Sequence, residues 1–203
     1  MRIGIDFDNT IVSYDALFHK VARELNLVPS GVPVNKVAVR DYLRRIGQEE
    51  HWTEMQGYVY GSRMDDALAY EGVVDFIRHA IATGHQIFIV SHKTRHPFLG
   101  PQYDLHMAAQ AWIKHRMLWQ GQILLPMENI FFELTKQEKL ARIGACGCDA
   151  FIDDLPEILL AEGFPENTVR LLFDPEDRYV NATVDGLLTF RNWQQLAGHF
   201  NVR

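Results

Sequence analysis

Five short runs of near-continuous apolar residues constrain this chain more than any other feature: 3–7, 86–90, 130–132, 150–152 and 169–173. A strand with one wet face alternates apolar and polar residues. These runs do not alternate, so they suit strands covered on both faces, as in a parallel sheet. Stretches at 73–82, 103–119, 136–145 and 191–200 read as helices and lie between or after them. The alternation after residue 70 predicts right-handed βαβ crossovers and an α/β fold, an open three-layer sheet with helices on both faces.

One interval breaks the rhythm. About 75 residues separate the first run from the second, where a minimal crossover needs a dozen or so. The interval is patterned: Leu17, Val21 and Leu25, with Phe18 and Ala22, repeat at helical spacing, and Pro29-Ser30-Gly31-Val32-Pro33 then breaks the chain. Residues 37–46 read as a second helix carrying Arg40, Arg44 and Arg45, and 51–60 is rich in aromatics. Residues 14–70 are therefore read as an inserted helical cap over one edge of a core formed by 1–13 and 71–203. The alternative is that these helices pack around the side of the core as extra layers. A length of 203 residues fits one core with an insertion better than two equal domains.

Charge and composition narrow the partners. The chain carries 20 basic and 26 acidic side chains, a net charge of −6, and no run of Lys or Arg. Binding a nucleic-acid polymer by its backbone is disfavoured, while a small phosphorylated substrate stays open. An acid at the sixth position leaves no room for a signal-peptide apolar region, and no apolar run approaches the ~18 residues of a membrane span. Cys146 and Cys148 are too close for an ordinary bridge and too few for a zinc site. A reducing, cytoplasmic setting is expected, in which Asn181-Ala182-Thr183 would not meet the glycosylation machinery.

The chemistry lies where the buried runs end. Ile3-Gly4-Ile5 leads into Asp6-Phe7-Asp8-Asn9-Thr10, Ile87–Val90 into Ser91-His92-Lys93, and Ala150-Phe151-Ile152 into Asp153-Asp154. In a parallel sheet the carboxyl ends of neighbouring strands share one edge, and ligands bind in the crevice there. Four carboxylates, a hydroxyl and a strand-end lysine are thus expected at one place. Such acids repel unless they share a proton or a cation, and an all-oxygen cluster suits a hard divalent ion, here Mg²⁺. With a phosphoryl group beside them, one carboxylate of Asp6-x-Asp8 can attack phosphorus while the other protonates the leaving oxygen. A further cation is expected from the helix opened by the Thr135/Glu138 capping box. Lys136 there opposes the helix dipole, a local conflict that suggests a function, with Lys139 one turn on as the competitor.

With these residues in place, the chain resembles the Mg²⁺-dependent phosphatases of the haloacid dehalogenase superfamily, which have a Rossmann-like core. Asp6-Phe7-Asp8-Asn9-Thr10, Ser91, Lys136 with its continuation to Leu140, and Asp153-Asp154 match the family's four motifs in order. The resemblance implies that Asp6 is the nucleophile, forming an aspartyl-phosphate, and that Asp8 is the general acid and base. Thr10 would hold the first loop at the phosphate site, where Ser91 and Lys136 (alternatively Lys139) would bind the phosphoryl group. Asp6, the Asp8 main-chain carbonyl and one or both of Asp153 and Asp154 would hold Mg²⁺. The family's dehalogenases lack the second acid, so Asp8 argues for a phosphomonoester hydrolase acting on a small phosphorylated metabolite. Asn9-Thr10 departs from the Gly-Val of the deoxynucleotidases. Nucleotidase or phosphotransferase action by the same chemistry, and a non-catalytic metal- and phosphate-binding module, are the rival readings.

Other groups carry less. His92 and His96 sit four apart like metal ligands, but Pro97 disfavours helical geometry at His96. Trp52, Tyr58 and Tyr60, with His51 and Arg63, either face the substrate or pack the interior of the insertion.

Overall fold

The structure is a computed structural model that describes residues 1–179 and 187–202; the Asn181-Ala182-Thr183 triplet lies outside the described residues. In chain order the elements are β1 (Arg2–Ile5), β2 (Val12–Ser13), α1 (Asp15–Glu24), α2 (Lys36–Arg45), α3 (Glu49–Tyr60), β3 (Leu68–Ala69), α4 (Val73–Ala82) and β4 (Gln86–His92). Then follow α5 (Leu105–Arg116), β5 (Leu118–Trp119), β6 (Gln122–Ile123), β7 (Ile130–Glu133), α6 (Lys136–Ala145) and β8 (Ala150–Asp153). The last are α7 (Pro156–Leu159), β9 (Val169–Phe173), β10 (Leu188–Phe190) and α8 (Trp193–His199).

Six strands form one parallel sheet in the order β10-β9-β8-β1-β4-β7, so the α/β Rossmann-like class holds. The chain first steps from β1 to β4 and β7 on one side, then to β8, β9 and β10 on the other. This reversal around β1 is the switch point at which strand ends diverge and leave a crevice. One face of the sheet, through Phe88, Val90, Phe151 and Leu172, packs against Leu140 and Ile143 of α6 and Ile158 and Leu159 of α7. On the other face Trp193 of α8 meets Phe173 at 5.5 Å and Phe76 of α4 at 5.0 Å.

Gly4 shows how tightly the centre is filled. It lies in register between Phe88 and Phe151, and the Phe151 ring occupies the space that a Cβ at Gly4 would need. The Cys148 sulfur would stand 2.9 Å from that same Cβ.

The chain divides into two compact units: Met1–Val12, Ala69–Lys93 and Met117–Arg203 carry the sheet, and Ser13–Leu68 with Thr94–Arg116 form a helical unit. This extends the expected insertion of 14–70. The helix read at 103–119 as a sheet-covering crossover is α5, which belongs to the helical unit instead. Its Trp112 Nε1 donates to the Ala67 carbonyl at 2.9 Å, and its Arg116 donates to the Asp65 carbonyl at 2.6 Å. Gly57 of α3 lets the segment around Pro97, beyond β4, approach closely, since a Cβ there would lie 2.6 Å from the Pro97 side chain. An apolar stripe at Leu105, Ala109, Trp112 and Ile113 reports that α5 buries one face, but not which neighbour covers it. No helix among the described residues is long and apolar enough to cross a membrane.

Gly4→Ala should destabilise the protein by about 1–3 kcal/mol through overpacking, measured by urea denaturation. Adding Phe151→Leu should recover part of that loss; if Gly4→Ala is neutral, the packing account of the sheet centre is wrong.

Candidate active site

Every residue of the site lies in the sheet unit, at or just past the carboxyl ends of β1, β4 and β8 or, for Lys139, on α6. Asp6 follows β1 directly, and its N–H donates to the Ile152 carbonyl at 2.9 Å, which extends the β1–β8 ladder by one residue. The chain then turns sharply. Phe7 O accepts from the N–H groups of Ile11 and Val12, each at 3.1 Å, and Asn9 adopts φ +59°. Asn is among the few non-glycine residues that tolerate this left-handed conformation, so Asn9 serves where the related pattern places Gly. Thr10 is wholly buried within the loop, and its carbonyl accepts from Trp193 Nε1 at 3.2 Å. Its hydroxyl has no hydrogen-bond partner among the described residues.

The centre of the site is a buried lysine between two acids. Lys139 Nζ, from α6, lies 2.6 Å from Asp6 Oδ1 and 2.6 Å from Asp153 Oδ2. Side-chain exposure is 2% for Lys139, 6% for Asp6 and 0% for Asp153. The other Asp153 oxygen accepts from the Leu155 N–H at 3.0 Å. Asp6, Asp153 and Asp154 offer carboxylate oxygens within 4.8 Å of one another.

The expectation for Lys136 is corrected by this arrangement. The capping box forms as read, with Glu138 N donating to Thr135 Oγ1 at 3.1 Å and Thr135 N to Glu138 Oε2 at 2.9 Å. Side chains on a helix lean back toward its N-terminus. Lys139, one turn in, thereby reaches the strand ends, whereas Lys136 starts at the helix end and turns to Glu157 on α7 in an exposed pair.

A second lysine reaches the site from the end of β4. Lys93 Nζ contacts both oxygens of Asp8, at 2.9 and 2.7 Å. The Asp8 carboxylate is therefore engaged by Lys93 and stands outside the cluster of the other three acids. Lys93 is visible in the sequence as a strand-end lysine, but an ion pair across 85 residues of sequence has no local signal. Ser91 is buried at the end of β4, in register with Phe132 of β7.

Burial pushes the Asp6 carboxyl up to about 7; Lys139 opposes this, and the Asp153 and Asp8 charges add to it. Burial disfavours the charged form of Lys139, yet the two carboxylates together hold its ammonium above the usual lysine range.

The remaining candidates are occupied elsewhere. His92 Nε2 donates to the Leu134 carbonyl at 3.0 Å, and His96 Nδ1 lies 3.1 Å from the Tyr103 carbonyl oxygen. Cys146 and Cys148 are free and buried, and burial pushes the Cys148 thiol up to about 12, which suits packing rather than redox work. In the helical unit, Trp52 and Tyr60 pack on Phe18 at 5.1 and 5.5 Å, and Arg63 pairs with Glu24 and Asp66. His51 and Tyr58 line a cavity of about 430 Å³ within the same unit.

No protein-family profile and no curated protein matches this chain. Solved structures do match, and they define the fold as that of haloacid dehalogenase-superfamily hydrolases. A family hydrolase from Deinococcus radiodurans R1, solved with phosphate and sodium bound, is 15% identical with a TM-score of 0.59, covering 98% of this chain and 94% of its own. A phosphoserine phosphohydrolase-like protein from Francisella tularensis is 16% identical at TM-score 0.58, with 98% of each chain covered. A structure described as a dehalogenase is 12% identical at TM-score 0.55, covering 98% of this chain and 96% of its own.

The two lysines on α6 are separable by stability alone. Lys139→Met leaves two buried acids without their cation and should cost about 3–5 kcal/mol at pH 8. Lys136→Ala removes an exposed pair and should change stability by less than about 1 kcal/mol. The folded-state pKa of Asp6 lies above its unfolded value, so its stabilising contribution is complete below the unfolded value near 4 and is lost as pH rises through about 7. The Lys139→Met penalty should accordingly shrink as pH falls toward 5 in urea denaturation of metal-free protein. Equal penalties for the two variants at pH 8 would rule out this placement.

Proposed function

We propose that this chain is a Mg²⁺-dependent phosphomonoester hydrolase that works through an aspartyl-phosphate at Asp6 on a small phosphorylated metabolite. The observation that carries the reading is the buried Lys139 bridge between Asp6 and Asp153, with Asp8 held separately two residues beyond Asp6. The fold shared with haloacid dehalogenase-superfamily hydrolases agrees with it, and so do a net charge of −6 and the absence of a basic run, which disfavour a polymeric phosphate.

The donor set fits a hard divalent ion. Three carboxylates offer oxygens within 4.8 Å of one another and only one ammonium meets two of them, while burial first and the Asp153 charge after it raise the Asp6 pKa, so a further cation would be favoured there. Asp153 is committed to Lys139 and to the Leu155 N–H, so Asp6 and Asp154 with the Asp8 main-chain carbonyl would hold the ion, and Asp153 would orient the group. Bound Mg²⁺ would supply charge neutralisation at the phosphoryl oxygens.

The protein's own residues then divide the reaction. An Asp6 carboxylate oxygen attacks phosphorus as the bond to the leaving oxygen breaks, and Asp8 gives that oxygen its proton. Water next attacks phosphorus, the bond to Asp6 breaks with its electron pair returning to the carboxylate, and Asp8 takes the water proton. Lys139 fixes the Asp6 oxygen that does not attack, while Ser91 and the loop through Thr10 border the phosphoryl group. Asp8 speaks against dehalogenation, which has no leaving oxygen to protonate.

The test is hydrolysis of p-nitrophenyl phosphate and of a panel of phosphorylated metabolites with Mg²⁺. Activity should vanish on chelation and return with Mg²⁺, and Asp6→Asn should lower it at least about a thousandfold. Phosphatase activity that survives Asp6→Asn would overturn the assignment.

A further inference from the structure

Lys93 has a chemical task that the four-motif resemblance does not give it. Its side chain is 4% exposed, and a lysine so buried is costly unless an opposite charge meets it. That charge is Asp8, 21% exposed on the loop after β1. The contact is made to both oxygens, at 2.9 and 2.7 Å, so the ammonium sits across the open end of the carboxylate and restricts where it can point. The lysine itself rises from a rigid origin: its N–H donates to the Glu133 carbonyl at 2.8 Å, prolonging the β4–β7 ladder one residue beyond β4. Its ammonium also lies 5.8 Å from the centre of the Phe7 ring, the residue between the two acids.

We propose that Lys93 is a positioning residue that holds the Asp8 carboxylate in the orientation needed to take a proton from the attacking water. The proposal rests on the phosphatase reading above. In that half-reaction the water oxygen bonds to phosphorus, the phosphorus–Asp6 bond breaks, and one water proton passes to Asp8. Asp8 must meet that water with an oxygen aimed at it, and the Lys93 ammonium in contact with both oxygens holds the carboxylate in place for this. A base displaced by about 1 Å loses on the order of a hundredfold in rate. Phosphorylation of Asp6 by an ester with a good leaving group needs no such help, so Lys93 acts on one half of the cycle.

The experiment compares wild type, Lys93→Met and Lys93→Arg with p-nitrophenyl phosphate and Mg²⁺ in stopped flow. In Lys93→Met, kcat should fall about 10- to 100-fold while kcat/KM stays within about threefold of wild type, because only the second step is slowed. A burst of nitrophenolate matching the competent sites should appear, with phosphorylated Asp6 seen by intact mass. Lys93→Arg, which also offers two N–H groups to a carboxylate, should restore most of kcat. The burst counts folded, competent enzyme, so partial misfolding does not mimic the result. A parallel fall of kcat and kcat/KM without a burst, or an unchanged kcat, would overturn the proposal; wild type inactive on every phosphomonoester would instead overturn the phosphatase reading.

Discussion

The site depends on one ammonium placed where the sheet ends. Lys139 joins the first residue past β1 to the last residue of β8, and it comes from the helix that precedes β8. Removing three charges from water is expensive, and only the mutual contact of all three makes it tolerable. The sheet brings the acids together by register, since Asp6 N–H already bonds to the β8 backbone. The lysine then converts this proximity from repulsion into an ordered cluster. Burial still wins at Asp6, whose carboxyl is pushed up to about 7.

Contacts from the rest of the sheet unit hold the shape of that loop. Phe7 O closes the turn, Asn9 supplies the left-handed residue, and Trp193 reaches from the last helix to the Thr10 carbonyl. Trp193 is itself wedged between Phe76 and Phe173, so the hydrophobic layer on that face of the sheet bears on the acid loop through one indole N–H. A core contact of this kind serves packing and geometry together, as functional groups on rigid supports require.

Much of this was legible before the structure. Five of the six sheet strands show as doubly covered apolar runs, because burial on both faces leaves no polar alternation to confuse them. The sixth, β10, has three residues at the sheet edge, two of them exposed, and leaves no such mark. Strand-end acids were legible for the same reason as the strands. The identity of the buried lysine was not: Lys136 and Lys139 project from neighbouring turns of one helix, and only the axial distance to the sheet edge separates them. Lys93 and the helical-unit membership of Thr94–Arg116 depend on long-range contacts, which composition and periodicity do not encode. The aromatics at 51–60 were ambiguous in sequence because a ring that packs on Phe18 and a ring that faces solvent obey the same spacing.

Two aspartates two residues apart have nearly equal chemistry in water, and the proposed reaction needs them to differ. The environments supply the difference. Asp6 is sealed between Lys139 and Asp153, with one oxygen committed to the lysine, so its geometry favours attack from the other oxygen. Asp8 is partly open to solvent and meets a separate lysine through both oxygens, which suits a group that must exchange a proton with water or with a leaving oxygen. Each acid meets its own lysine, Asp6 the Nζ of Lys139 and Asp8 the Nζ of Lys93. In the proposed reaction Lys93 and Lys139 are therefore not redundant: each would hold its own carboxylate, one for attack and the other for proton transfer.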